Sequence, residues 1–312
     1  MGARIDAARA LTSHGLRKPT ARRLADAALT ACLTRAGMHP GDVDMLINAG
    51  VYREDNMGEP ALAALIQEDV GANPGQPPTG GHGTFSFDLI NGACGAISAI
   101  QLESGLLESG VIRHGAVVTS DVGPGLTDHS SAPFRPAGGA VLLSWDDTAP
   151  GFTDFHTETF SEYADLLTSG LVWQERRGFR ARGRSAGRSQ MAIDAAPGYH
   201  ARLADCAEEA ARRFLGRLGL DASDIDLLVP APSGPEFADR LRARLGVPGD
   251  RVAYVAEDLE AAYTTGPIAA WQTAAMSGRL AEARTTLLLA AGAGITVTLA
   301  LYRQEPPGSA PT

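Results

Sequence analysis

Cys94 is the residue whose setting could make it a nucleophile. It lies in the run Phe85-Ser-Phe-Asp-Leu-Ile-Asn-Gly-Ala-Cys-Gly-Ala-Ile-Ser-Ala-Ile100. The aromatic and branched residues before it read as a strand. After Gly95 the apolar residues Ile97, Ile100, Leu102 and Leu106 recur at helical spacing. A thiol at such a strand-to-helix turn sits near unpaired N–H groups and the positive end of the helix dipole, which favour thiolate. The expectation is a nucleophile that needs no neighbouring base. The plain alternative is a small buried cysteine filling a tight turn.

The elements that must position this thiol come from a chain of 312 residues, 44% hydrophobic and 20% charged, enough for a sizeable core in one or two domains. The net charge of −9 argues against a nucleic-acid binder, which would present a basic face. Lys18 is the only lysine; the other cations are arginines, a coding bias rather than a chemical signal. Cys32, Cys94 and Cys206 lie far apart, so neither a zinc site nor a disulfide framework is expected. No apolar run is long enough for a membrane span, and Arg4, Asp6 and Arg9 do not suit a signal peptide. The cytoplasm is the expected compartment, with no cofactor, nucleic-acid or membrane partner.

Two stretches read alike. Arg23-Leu-Ala-Asp26 opens a helical run that leads to Gly41-Asp-Val-Asp-Met-Leu-Ile-Asn-Ala-Gly50. Arg202-Leu-Ala-Asp205 opens another that leads to Ser223-Asp-Ile-Asp-Leu-Leu-Val-Pro-Ala-Pro232. Each is an amphipathic helix, a polar turn and an all-apolar strand, the pattern of a sheet covered on both faces. Later in each comes a glycine turn beside an apolar strand, at Gly138-Gly139 and at Gly292-Ala-Gly294. The parallel order points to a duplication. One half is expected over 1–150 and the other over 196–312. The stretch 151–195 is expected to be an irregular connection rich in arginine: Arg176, Arg177, Arg180, Arg182, Arg184 and Arg188. It reads as a solvated loop or as a dock for an acidic partner or a phosphate. The tail 305–312 is expected to be disordered.

A duplicated α/β chain with a cysteine at this junction resembles the thiolase superfamily. Within it the likeness is to β-ketoacyl-acyl-carrier-protein synthase type III. It is carried by 21–50, by Phe87-Asp-Leu-Ile-Asn-Gly-Ala-Cys-Gly95 and by Val117-Val-Thr-Ser-Asp121. In the second half it is carried by Asp226-Leu-Leu-Val-Pro230, Ser277-Gly-Arg279 and Leu287-Leu-Leu-Ala-Ala-Gly-Ala-Gly-Ile-Thr296. The resemblance implies a five-layered αβαβα fold of two duplicated halves and a homodimer that pairs through the strand ending at Phe85-Ser-Phe87. It also implies an acyl-enzyme on Cys94, drawn from an acyl-carrier-protein or coenzyme A thioester. Backbone N–H groups of Cys94 and Ala293 would then form the oxyanion hole.

The departures from that pattern bear on mechanism. The family's histidine position falls on Ala231 and its asparagine position on Ala261. Ungapped counts from Ser277-Gly-Arg279 and from Ala231 agree on the second. The family's first strand and its coenzyme-binding loop look shortened or absent. Alanines cannot stabilise the enolate of a decarboxylating malonyl group, and one lost donor costs about 2.7–4 kcal/mol. Possible substitute bases are Glu257, Asp258 and Glu260, with His82 and His129 as further histidines near the cysteine strand. Thr264 and Thr265 could donate hydrogen bonds. Three readings follow. One is an acyltransferase that passes the acyl group from Cys94 to an acceptor. The second is a carbon–carbon-forming synthase with a rearranged site. The third is a non-catalytic subunit supporting, as a heterodimer, a partner of the same fold.

Overall fold

The computed structural model describes residues 1–13, 19–53, 59–75, 83–122, 135–175, 187–234 and 236–304, without the side chains of 171–192. The first half runs β1 (Gly2–Thr12), α1 (Ala21–Ala36), β2 (Met45–Asn48), α2 (Leu62–Val70), β3 (Phe85–Asp88), α3 (Gly95–Glu108), β4 (His114–Asp121) and β5 (Ala137–Asp146). The second begins with β6 (Phe152–Thr159), followed by a separate hairpin of β7 (Leu167–Glu175) and β8 (Gly187–Ala195). It continues through α4 (Tyr199–Arg217), β9 (Leu227–Pro230), α5 (Phe237–Leu245), α6 (Gly266–Met276), α7 (Arg279–Glu282), β10 (Thr285–Gly292) and β11 (Thr296–Arg303).

The duplication is legible in the strand order. The first half's strands lie in the order β3-β2-β4-β5-β1, and the second half's, taken from the opposite edge, in the order β9-β10-β11-β6. An isolated bridge between Leu228 and Val252 stands where β3 stands in the first half. Within each half the inner pairs β2–β4 and β9–β10 are parallel, and β4–β5 and β10–β11 are antiparallel. One side-chain clasp also occurs twice. Asp44 accepts from the backbone N–H groups of Arg113 and His114 at 2.6 and 3.1 Å. Asp226 accepts from those of Arg284 and Thr285, both at 3.0 Å. Each aspartate ties the polar turn before one central strand to the start of the next.

Three apolar clusters show the layering. The outer helices α1 and α2 cover one face of β2, β4 and β5 through Leu24, Leu29, Leu46 and Ile66. At the opposite side α4 and α5 cover β9, β10 and β11 through Leu203, Phe214, Leu228 and Leu299. Between the sheets lie α3 and α6, where Ile97, Ile100, Ile268 and Trp271 pack against strands of both halves. The chain thus has the thiolase-like five-layered αβαβα fold. A single pair between β1 and β6, Ala3 with Phe152, makes the described strands of the two sheets one nine-stranded sheet.

Several expectations are corrected here. The stretch 151–195 is not irregular where it is described: it holds β6, β7 and β8, and β6 is an integral strand paired with β11. β6 escapes a reading by periodicity because Phe152 and Phe155 are the only apolar residues in its run Phe-Thr-Asp-Phe-His-Thr-Glu-Thr. The first strand is not shortened; β1 spans 11 residues and pairs along β5. The arginines at 176–184 and the tail 305–312 lie outside the described residues. On α3, Leu102 is exposed while Glu103 is fully buried.

Glu103 makes a testable point about stability. Its carboxylate oxygens are buried without a hydrogen-bond partner of good geometry among the described residues. Burial pushes its acid well above the ordinary value of 4.5, and the Ala116 amide offsets little of this. The folded state therefore holds a proton that the unfolded state releases. This contribution is fully present below about 4.5, where both states are protonated, and is lost as pH rises towards the folded value. Asp26, pushed to about 7 by burial and by Asp69 beside it, acts with the same sign. Glu103→Gln is expected to flatten the fall in melting temperature between pH 5 and pH 8, each a rough bound for this window. A fall as steep as that of the unchanged protein, followed by calorimetry, would refute the assignment.

Candidate active site

The turn that carries Cys94 is built by two glycines. Gly92 has φ +52°, in the left-handed region, and opens a 3-10 turn, Gly92–Cys94. Gly95 lets the start of α3 lie on the end of β2: a Cβ there would come within 3.2 Å of Ala49. Cys94 is the N-terminal flanking residue of α3. Its own N–H is already committed, donating to the Asn91 carbonyl at 3.0 Å. The Asn91 side chain donates to Ser98 Oγ, whose hydroxyl donates to the Cys94 carbonyl at 3.1 Å, so the turn is closed from both sides.

The sulfur faces the other half. It is 1% exposed and lies over the β10–β11 hairpin, where the thiol has the carbonyls of Ala290 at 3.6 Å and Thr296 at 3.4 Å as acceptors. Carbonyl acceptors favour thiol over thiolate. Burial pushes the Cys94 thiol up to about 11, and the hydroxyl and amide of Thr298 offset only part of that. Burial of the sulfur thus opposes the lowering expected from the helix N-terminus. Cys32 and Cys206 are likewise raised, chiefly by burial.

The residues singled out from the sequence divide. Ala231 is buried in the same apolar cluster as Cys94, with its N–H held by the Leu289 carbonyl at 2.7 Å. Ala261 is half-buried, and its carbonyl accepts from the Arg135 N–H at 2.9 Å. Ala293 stands exposed at the hairpin tip, while Gly292 is buried and packs on Ala93 beside the cysteine. Of the two positions expected to supply backbone oxyanion donors, Cys94 has its N–H bonded to the Asn91 carbonyl and Ala293 is an exposed residue. Glu257, Asp258 and Glu260 are all exposed; only Leu259 of that turn faces inward. Solvated carboxylates there do not make a pocket base. His82 and His129 lie outside the described residues.

Thr264 and Thr265, named from the sequence as hydrogen-bond donors, do meet partners at the seam, where the structure adds Asp121, Thr119, Tyr199 and Tyr263. Asp121, at the end of β4, is buried and accepts from the N–H groups of Val51 and Tyr52 and from the N–H and hydroxyl of Thr264, at 3.2, 2.9, 2.9 and 2.5 Å. The hydroxyls of Thr119 and Thr265 meet at 3.0 Å. These contacts fasten the loop of the second half to the first. They place Tyr263 with its ring 5.5 Å from that of Tyr52 and its hydroxyl over Gly92, where a Cβ would meet Oη at 3.0 Å. Tyr199, at the start of α4, is also buried, and burial with the nearby Cys94 pushes its phenol up to about 12. The only forewarning in the sequence is the hydroxyl-rich run Tyr263-Thr-Thr265.

Chemically, this is a buried thiol that, among the described residues, has carbonyl acceptors and the Thr298 hydroxyl beside it and no carboxylate or imidazole bonded to it. Among the described residues no cluster of His, Cys, Asp or Glu could hold a metal ion. No helix among them is long and apolar enough to cross a membrane.

Comparison with known proteins shows what the chain is similar to. Residues 215–304 match the model of the 3-oxoacyl-[acyl-carrier-protein] synthase III C-terminal domain. A β-ketoacyl-[acyl-carrier-protein] synthase III of Sphingopyxis alaskensis is 27% identical over 297 residues, covering 91% of this chain and 84% of its own. Among solved structures, the 3-oxoacyl-(acyl carrier protein) synthase III of Pseudomonas aeruginosa superposes with a TM-score of 0.72. It is 20% identical and covers 98% of this chain and 99% of its own. OleA of Xanthomonas campestris, solved with bound lauric acid and lauroyl-CoA, gives a TM-score of 0.74 at 14% identity, covering 97% and 99%.

Proposed function

From the resemblance of this chain to the thiolase superfamily, and within it to β-ketoacyl-acyl-carrier-protein synthase III, we propose that it is an acyltransferase. Cys94 takes an acyl group from an acyl-carrier-protein or coenzyme A thioester and passes it to an acceptor that brings its own nucleophilicity. The observation that carries this reading is Cys94 itself, at the head of α3 and walled by β10 and β11 of the other half. A subunit kept only for support has no need of a thiol at that point. Decarboxylative condensation needs donors for an enolate, and Ala231 and Ala261 supply none. An acceptor amine or alcohol avoids that step.

The raised thiol does not oppose transfer. A thioester that enters the seam displaces the carbonyl contacts of the sulfur, and the leaving thiolate can take the proton that Cys94 gives up. The test is intact-protein mass spectrometry after incubation with acetyl-, malonyl- and lauroyl-coenzyme A. A mass increase of one acyl group, mapped to Cys94, is the expected result. An unmodified Cys94 with every donor, in a folded protein, would favour the supporting-subunit reading.

The same reading includes a homodimer. β3 is the outer strand of the sheet, Phe85 is 64% exposed, and its ring lies 5.6 Å from that of Phe87. An exposed apolar edge strand invites pairing with another. Light scattering at micromolar protein is expected to give a dimer. Phe85→Asp should weaken it about 10-fold or more, the loss of a central aromatic contact. A monomer would count against the homodimer; pairing only with a second, related chain would favour the supporting role.

A further inference from the structure

The sulfur of Cys94 meets two kinds of partner. The carbonyls of Ala290 and Thr296, at 3.6 and 3.4 Å, accept from the thiol and would repel an anion. The hydroxyl and the amide of Thr298 bond the sulfur as donors and favour the thiolate. Acylation depends on that thiolate, which is the nucleophile. We propose that Thr298 is a catalytic residue of acyl transfer at Cys94: its hydroxyl, oriented by Thr157 on the neighbouring strand, holds the thiolate as the acyl carbon is attacked. This rests on the acyltransferase reading.

Three observations carry it. The first is the face on which Thr298 lies. Val297, Leu299 and Leu301 of β11 pack with α4 and α5, whereas Ala300, with Leu288 and Ala290 of β10, packs in the cluster of Cys94. Alternation along the strand puts Thr298 with the second set. There it is a fully buried hydroxyl among small apolar residues, a place where a hydroxyl without a partner would be costly. The second is its cross-strand partner. The register of β6 and β11 sets Thr298 opposite Thr157, and the two hydroxyls are 3.3 Å apart. When Thr157 donates to Thr298, the Thr298 proton is left for the sulfur. The third is a rung of the same chemistry one step along, Thr159 with Thr296 at 3.0 Å. Of the two rungs, only the one through Thr298 places a hydroxyl on the sulfur.

The titratable side chains that sense Cys94 are the phenols of Tyr199 on α4 and Tyr263 before α6, and burial raises both, so they stay protonated. Glu103 of α3 lies against Gly115 of β4. His156 and Glu158 of β6 face the other way, against Phe214 and Arg213 of α4.

In the step proposed, the S–H bond of Cys94 breaks, its proton passes to water, and the Thr298 O–H turns to the sulfur. A lone pair of Sγ forms the bond to the carbonyl carbon of the donor thioester. Collapse of the adduct breaks the bond to the donor sulfur, which leaves as thiolate and takes up a proton from water. No net proton is gained or lost, and both threonines keep theirs.

Alkylation by iodoacetamide reads the thiolate and needs no acyl chemistry. Its rate at Cys94, resolved from Cys32 and Cys206 by peptide mass spectrometry, is followed against pH. The comparison uses the full chain and the variants Thr298→Val, Thr298→Ser, Thr157→Val and Thr159→Val, with acylation by acetyl- and lauroyl-coenzyme A followed beside it. Thr298→Val removes a donor to the anion, so the midpoint of the profile should move to higher pH. Below that midpoint both reactions should slow about 10-fold, the low end for a hydrogen bond to a charged group. Thr298→Ser keeps the hydroxyl and should restore the midpoint. Thr157→Val should slow both reactions about threefold, as for loss of a neutral hydrogen bond. Thr159→Val should leave the profile in place. A profile unmoved in folded Thr298→Val, or moved as far in Thr159→Val, overturns the proposal while acylation itself keeps the acyltransferase reading in place. So does a Thr157→Val profile identical to that of the unchanged protein. If Thr298→Val does not fold, Thr298→Ala takes its place in the same comparison. A Cys94 that alkylates with the expected dependence on Thr298 yet takes no acyl group from either donor overturns the acyltransferase reading, and the catalytic role with it.

Discussion

Cys94→Ala is expected to abolish acyl loading outright, with no residual adduct elsewhere on the chain. The other two cysteines are buried with raised thiols, Cys32 on the inner face of α1 and Cys206 on that of α4, so neither can substitute. The substitution removes one sulfur from a packed site and leaves a methyl group, and it relieves the thiol's long contacts to two carbonyls. Stability should change by no more than about 1 kcal/mol, within the range for near-isosteric changes. Intact mass and a thermal melt report both quantities together. An acyl adduct of undiminished yield in the alanine variant would place the nucleophile elsewhere.

The second large effect is a gain. Restoring the two family side chains, Ala231→His with Ala261→Asn, is expected to raise carbon dioxide release from a malonyl thioester about 100-fold or more over a near-background starting rate. Each change alone should do little, because two donors on one oxygen act as a unit. The backbone at both positions is already fixed, by the Leu289 carbonyl at one and the Arg135 N–H at the other. Ala231 is fully packed, however, so an imidazole there costs roughly 1–3 kcal/mol of overpacking. Release of labelled carbon dioxide from a folded double variant is the measurement. No rise over the single variants would show that the two alanines do not occupy the donors' places. Robust decarboxylation by the unchanged protein would show that another group already serves.

The fold was legible where periodicity and repetition agreed. The apolar strands β2 and β9, each preceded by a polar turn and an aspartate, could be matched because Asp44 and Asp226 do the same work in both halves. The head of α3 is legible from the strand-like run before Cys94 and the helical spacing of apolar residues after Gly95. What failed depended on the third dimension. A helix face drawn through Leu102 left out Glu103, because the sequence gives no sign that a carboxylate will be buried at full desolvation cost. The helix N-terminus argues for thiolate, but the two carbonyls that the sulfur meets belong to residues 196 and 202 positions away in sequence. The acidic turn 257–260 offers possible substitute bases by composition, yet only Leu259 turns inward. Tyr263 was overlooked because its relation to Gly92 exists only once the two halves are brought together.

The lone backbone pair between Ala3 and Phe152 has a mechanical meaning. Gly2 and Gly151 approach there so closely that a Cβ on Gly2 would fall 2.5 Å from the Gly151 nitrogen. The two halves are welded at that seam, and α3 and α6 fill the gap beside it. A molecule joined in this way does not open like a book: a hinge would have to tear a strand pair and unpack a layer of helices at the same time. The thiol, 1% exposed at the seam, is then uncovered by local shifts of the side chains packed over it and not by the swing of one half away from the other.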